Sequence, residues 1–106
     1  MTTPKLVRDK IPSIIRASGQ EPIVRVATAE EYGTLLRDKL LEEVREFLAS
    51  GDLEELADIL EVAYALVADA GVGREQLEKL RADKAAERGG FAAGIIWCGN
   101  RDPVAS

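Results

Sequence analysis

The chain of 106 residues contains no histidine and a single cysteine, Cys98. Without histidine, Ser-His and Cys-His catalysis and histidine-ligated metal sites are excluded. One cysteine excludes an intramolecular disulfide and a thiolate zinc cluster, and no neighbouring residue would activate Cys98 as a nucleophile. Any chemistry must therefore rest on carboxylates, cations and backbone groups.

Aromatic residues and long apolar runs are also scarce. Only two Phe, two Tyr and one Trp are present, so Trp97 and Phe91 are the candidates for stacking on a base, unless they simply cap the core. No apolar stretch is long enough to span a bilayer, so no membrane partner is expected. The N-terminus has no apolar signal core, which predicts a cytoplasmic protein.

Charge is unevenly distributed along the chain. The net charge of −5 offers no electrostatic footprint for nucleic acid. Residues 1–25 hold five basic and two acidic groups, residues 26–70 hold three basic and twelve acidic groups, and residues 71–106 hold six and five. An acidic middle therefore lies between two mildly basic segments.

Two long helices are predicted in the acidic middle. Thr28 is an N-cap with Glu31 three residues on, which makes a capping box and predicts a helix from Ala29 to Ser50, ended by Gly51. Asp52 is the next N-cap, and the second helix is expected from Leu53 to about Ala70. A two-residue connection predicts an antiparallel helical hairpin.

The flanking segments are shorter and weaker in pattern. Pro12 predicts a helical turn over Ser13–Ala17, and residues 23–26 favour an extended conformation. A third helix is predicted from Arg74 to Arg88, and the tail from Phe91 has no clear period. The chain is expected to be one all-α domain over residues 1–106, with a helical bundle architecture.

Carboxylates break the apolar pattern of both long helices. Glu43 falls on the apolar face of the first helix and Asp58 on that of the second, which is apolar nearly all round. In an antiparallel hairpin, the pairs Glu43/Glu46 and Glu55/Asp58 would converge beside the turn. Converging carboxylates repel unless they bind protons or a cation, and oxygen ligands alone select Mg²⁺, Mn²⁺ or Ca²⁺ over zinc and copper.

Simpler interpretations exist for single acids. Glu55 could complete a capping box with Asp52. Glu46, like Glu42 and Glu54, could be a solvated acid in i, i+4 pairs. These interpretations suit Glu43 and Asp58 less well, because both lie among apolar residues.

Basic residues at the two ends could receive phosphate. Lys84 and Arg88 continue the helix face that carries Leu77 and Leu80, so this face of the third helix is apolar at its start and basic at its end. A second basic cluster is formed near the N-terminus by Lys5, Arg8 and Lys10. Arg and Lys suit phosphate oxygens, although all of these side chains could instead extend to solvent or pair with surface acids.

The order of these motifs resembles a known family. Glu43-Val44-Arg45-Glu46 and Glu55-Leu56-Ala57-Asp58 are similar to the ExxE and ExxD motifs of the all-α nucleoside triphosphate pyrophosphatases, the MazG-like superfamily. The flanks, residues 5–12 and 87–91, resemble a compact branch described as house-cleaning pyrophosphatases and related to phosphoribosyl-ATP pyrophosphohydrolase. Residues 4–96 carry the resemblance.

The resemblance implies Mg²⁺-dependent hydrolysis between the α- and β-phosphates of a nucleotide, by a homodimer or homotetramer built on four-helix cores. It implies that Glu43, Glu46, Glu55 and Asp58 hold the metal and that Glu61 binds a second ion or orients water. Glu46 or Glu61 would be the general base, and Lys84, Arg88, Arg8 and Lys10 would bind phosphate.

The eight residues between the two acidic motifs leave little room for base-recognising insertions, so the nucleobase is open. Two rival functions also stay open: the phosphoribosyl-ATP step of histidine synthesis, and a non-catalytic helical oligomer that binds metal or nucleotide.

Overall fold

The computed structural model describes residues 4–103, and this part of the chain is all-helical, without a strand. Four helices follow one another: α1 (Ile11–Ala17), α2 (Ala29–Ser50), α3 (Leu53–Asp69) and α4 (Arg74–Arg88). The predicted all-α class and helical hairpin are therefore confirmed. The favoured extended segment at residues 23–26 forms no regular element.

The short helix α1 begins at Ile11, two residues earlier than predicted, and carries Pro12 in its first turn. Proline is well tolerated there because the first turn has no internal partner for its missing N–H. Lys10 occupies the N-cap position without a side-chain cap hydrogen bond. This places residues 5–10 as a lead-in segment before α1.

Helix α2 has the boundaries that its capping signals predict. The Thr28 hydroxyl accepts a hydrogen bond from the Glu31 backbone N–H at 3.2 Å, and the Glu31 carboxylate accepts one from the Thr28 N–H at 2.9 Å. At the other end Gly51 adopts a left-handed conformation, φ 69°, and its N–H donates to the Phe47 carbonyl. Glycine suits this position because it has no Cβ to clash.

Helix α3 starts two residues after α2 ends and packs against it, which forms the hairpin. Asp52 is at the N-cap position, as predicted, but its side chain makes no capping hydrogen bond. The backbone of Asp52 contributes instead, because its carbonyl accepts from the Glu55 N–H at 3.1 Å. The side chain of Glu55 is therefore available for another role.

Burial within the hairpin is slight. Among the described residues, Leu36 on α2 and Val62 on α3 are the buried apolar side chains, and Glu43 is the buried charged one. Although α3 is apolar nearly all round, Leu56 stays 40% and Leu60 51% exposed. A single chain therefore covers less of α3 than its sequence predicts.

The chain divides into two compact units, one ending at Arg74 and the other beginning at Glu75. The first contains α1, α2 and α3, and the second contains nearly all of α4 and the tail. Helix α4 buries none of its residues, and its own ion pairs join Lys79 to Asp83 and Arg81 to Glu78. Across residues 4–103, no helix combines the length and apolar character needed to cross a membrane.

Candidate metal centre

Three carboxylates from the two helices of the hairpin meet beside its turn. Oxygen atoms of Glu43 on α2 and of Glu55 and Asp58 on α3 all lie within 4.8 Å of one another. We refer to these three residues as the carboxylate trio. The antiparallel pairing of α2 and α3 brings them together, since the two-residue turn sets the acidic motifs at similar heights.

Glu43 is the most buried member of the trio, with 5% of its surface exposed. Its Oε1 lies 3.3 Å from the Nζ of Lys39, one helical turn earlier. Its Oε2 is buried and has no hydrogen-bond partner, and the same holds for Oε2 of Glu55. Buried carboxylate oxygens without a partner are costly, so they indicate that the trio is built to receive a proton or a cation.

The raised pKa of Glu55 also indicates that the trio favours a bound proton or cation. Its pKa is raised from 4.5 to about 7, first by desolvation and then by the charge of Glu46 and by contact with Glu43. A carboxyl group with this pKa is only partly ionised at neutral pH. Desolvation is the largest cause of this shift, and the predicted repulsion from neighbouring acids adds to it. Glu55 does not form the alternative capping box with Asp52.

Glu46 lies close to the carboxylate trio but is not a member of it. It is close enough for its charge to raise the pKa of Glu55, but it is exposed and is not one of the three residues whose oxygens lie within 4.8 Å. Its assignment as a metal ligand and as a general base stays a prediction.

Asp58 already holds a cation from the same chain. Nη2 of Arg8 donates to Oδ1 of Asp58 at 2.6 Å, and Nη1 of Arg8 lies 4.0 Å from Oε1 of Glu61. Glu61 also faces Arg74, whose Nη2 is 3.6 Å from its Oε2. Glu61 is therefore placed between two guanidinium groups and not within the trio.

The other predicted phosphate-binding residues are scattered. Lys10 is exposed at the N-cap of α1, within the first unit. Lys84 and Arg88 are exposed on α4, within the second unit. Their role toward phosphate stays a prediction.

The two aromatic candidates are on the surface of the tail. Phe91 is 99% exposed, and Trp97 is exposed with its Nε1 donating to Oδ1 of Asn100 at 2.8 Å. Neither side chain caps a core in this chain, and base stacking by either one stays a prediction.

Two basic residues near these acids, Lys39 and Arg74, were not predicted from the sequence. Lys39 neutralises part of the cluster through Glu42 and Glu43, both at 3.3 Å, and its i, i+4 spacing to Glu43 could have revealed it. Arg74 lies 4.2 Å above the ring of Tyr64, at an open groove of about 360 Å³ that Glu61 also lines. No sequence spacing predicts this second contact, because it depends on the turn between α3 and α4.

The residues of the trio fit a hard divalent cation. All donors are carboxylate oxygens, two of these oxygens are buried without a partner, and they come from two helices that hold each other in place. Mg²⁺ and Mn²⁺ prefer such ligands, whereas zinc and copper favour nitrogen and sulfur.

Comparison with known proteins gives the site little context. No protein-family model matches the chain, and no solved structure matches it. An uncharacterised protein of Mycolicibacterium smegmatis is 50% identical over 46 residues, which are 43% of this chain and 47% of that protein. The chain thus covers less than half the length of this curated relative.

Proposed function

We propose that this chain is a Mg²⁺-dependent nucleotide pyrophosphohydrolase that cleaves between the α- and β-phosphates and releases a nucleoside monophosphate and pyrophosphate. The observation that carries the proposal is the buried, unpartnered Oε2 of Glu43 inside the carboxylate trio. The motif resemblance supports the reaction, and Mn²⁺ is the alternative ion.

The trio would hold the ion, with Glu46 as a fourth ligand from the adjacent turn of α2. When bound, Mg²⁺ supplies charge for phosphate oxygens and lowers the pKa of a water molecule. The chain's own contribution is to hold three carboxylates in place through the α2–α3 packing, with Lys39 fixing the buried Glu43. This rigidity keeps the ligands ready without a rearrangement of the helices.

Glu46 is the better of the two candidate bases. It is exposed beside Glu55, so its carboxylate can reach a water molecule at the edge of the site. Glu61 already faces the guanidinium groups of Arg8 and Arg74, so its oxygens are less free to orient a water molecule. Arg8, Lys10, Lys84 and Arg88 are the cations proposed to offset charge on the departing pyrophosphate.

A second copy of the chain is proposed to complete the site's scaffold. Several large apolar side chains of the hairpin are left exposed in one chain: Leu41, Leu48, Leu53, Leu56 and Leu60. Two hairpins packed together would bury them in a four-helix core. We therefore propose a homodimer, or a homotetramer made of two such pairs.

Pyrophosphate release tests the reaction directly. The wild-type protein should release pyrophosphate from at least one nucleotide of a panel with ordinary and modified nucleoside triphosphates and phosphoribosyl-ATP, only when Mg²⁺ or Mn²⁺ is added. Asp58→Ala should lower kcat by more than about a hundredfold, because losing a ligand exceeds the loss of a supporting partner. Glu54→Gln, an exposed acid on the same helix, should retain turnover.

The same panel of nucleotides also distinguishes the proposed function from its alternatives. Full turnover by Asp58→Ala would refute the metal mechanism. Turnover confined to phosphoribosyl-ATP would favour the histidine-synthesis activity. Nucleotide binding without pyrophosphate release would favour a non-catalytic binding protein.

A further inference from the structure

The contact between Arg8 and Asp58 joins two residues for which the sequence predicts different roles. Arg8 is predicted to bind phosphate and Asp58 to bind metal, yet Nη2 of Arg8 is 2.6 Å from Oδ1 of Asp58. The same guanidinium group reaches toward Oε1 of Glu61 at 4.0 Å. A built-in cation thus occupies an oxygen of one member of the carboxylate trio.

A guanidinium group and a divalent ion are poor neighbours on one carboxylate. A divalent ion binds carboxylate oxygens at roughly 2.0–2.6 Å, which would place it within a few ångströms of the Arg8 charge. The two cations would repel each other strongly at that separation. Arg8 is 52% exposed and has a long, flexible stem, so its head group can move outward without unfolding a helix.

A second ion pair keeps the lead-in segment in place. Nζ of Lys5 lies 2.8 Å from Oε1 of Glu42, on α2 and outside the trio. Because Lys5 is only three residues before Arg8, this pair would hold the segment near the cluster while the guanidinium changes partner. A released Arg8 would therefore stay beside the site.

We propose that Arg8 is a displaceable counter-ion: it neutralises Asp58 and Glu61 in the metal-free protein, leaves Asp58 when a divalent ion binds the trio, and then binds the phosphate of the substrate. The last step rests on the proposed function, whereas the exchange at Asp58 stands on the observed contacts. Arg8 thereby links metal loading to phosphate capture, since its forked donors suit both carboxylate and phosphate.

Mn²⁺ binding without nucleotide tests the exchange. Arg8→Ala should bind Mn²⁺ about twofold to fivefold more tightly than wild type, the range expected when a part-exposed ion pair no longer competes. Lys5→Ala removes one positive charge from the same segment without freeing a trio oxygen, so it should have a smaller effect. Arg8→Lys should fall between wild type and Arg8→Ala, because an ammonium group keeps the positive charge but lacks the forked donors of the guanidinium group.

Two further measurements test whether the Arg8 guanidinium group changes its partner. The Nε–Hε signal of Arg8 in the wild-type protein should shift on Mg²⁺ saturation, and the signal of Arg16, which pairs with Glu21, should not. In the presence of Mg²⁺, Arg8→Ala should bind inorganic pyrophosphate more weakly than wild type, opposite in sign to its effect on Mn²⁺.

The proposal is overturned if Arg8→Ala binds Mn²⁺ no more tightly than Lys5→Ala, if the Arg8 signal ignores Mg²⁺, or if pyrophosphate affinity does not fall. These binding measurements do not depend on turnover. A wild-type protein that passes them but releases no pyrophosphate from any nucleotide would contradict the proposed function alone.

Discussion

At the residue scale, Glu43 explains why the acids of this hairpin are not ordinary surface charges. A buried carboxylate is tolerated only when its oxygens are satisfied, and Lys39 satisfies just one of them. A purely structural residue at this position would be apolar, as Leu36 is one heptad earlier. Keeping an acid there is a cost to folding, and the proposed ligand-binding role would account for it.

Glu55 makes this cost measurable. Because its pKa is raised from 4.5 to about 7 in the folded protein, the charge on Glu55 costs nothing below about pH 4.5. The cost grows as pH rises and is complete above about pH 7. Glu55→Gln should therefore raise the Tm of the metal-free protein, and by more at about pH 8 than at about pH 5.

The matched control is Glu54→Gln, which removes a charge from the same first turn of α3 without touching the trio. Thermal unfolding in the presence of a chelator compares the two variants. An equal Tm change for both variants at the two pH values would contradict the raised pKa of Glu55.

At the scale of the elements, the turn between α2 and α3 sets the register of the trio. Gly51 has a φ of 69°, and a Cβ there would meet no neighbour, so backbone strain alone penalises substitution. Gly51→Ala should destabilise the protein by about 1–2 kcal/mol, measured by urea denaturation. Gly90→Ala, at a glycine without positive φ and with open space around it, should have a much smaller effect.

The start of α2 should respond to acid. The pKa of Glu31 is lowered from 4.5 to about 2, chiefly by the hydrogen bond from Arg25 and then by that from the Thr28 backbone. The stabilisation is therefore complete above about pH 4.5 and is lost as pH falls through about 2. Glu31→Gln should lower the Tm at about pH 7, and by much less at about pH 2.

Glu30→Gln is the comparison for this second titration, because Glu30 shares the first turn of α2 but does not contribute to the capping box. Circular dichroism melts at several pH values give the difference. A Tm loss for Glu31→Gln that persists unchanged at low pH would show that the charge is not responsible.

Local signals in the sequence predicted the helices well, but contacts between residues far apart in the chain could not be predicted from it. The ends of α2 follow from Thr28, Glu31 and Gly51, which act within one turn of the chain, and the burial of Glu43 follows from its place on an apolar face. The pairing of Arg8 with Asp58 spans 50 positions. The segment before α1 has no periodicity that could have predicted this contact.

At the scale of the whole molecule, the exposed leucines of the hairpin predict self-association. Leu56→Lys with Leu60→Lys should convert an oligomer into a monomer, because two charges cannot be buried in a four-helix core. Ile23→Lys, on a fully exposed residue outside the helices, should leave the oligomer intact. Sedimentation equilibrium measures the change, and a monomeric wild-type protein would rule out the proposed assembly.

The two-residue connection of α2 and α3 also bears on how quickly the protein folds. Helices joined by a short turn meet through contacts between residues close in the chain, and such local topologies close rapidly. The acidic motifs stand on either side of this turn, so their mutual repulsion opposes closure of the hairpin itself. The proposed binding of a divalent cation should therefore accelerate refolding as well as stabilise the folded state, because it would offset this repulsion while the hairpin forms.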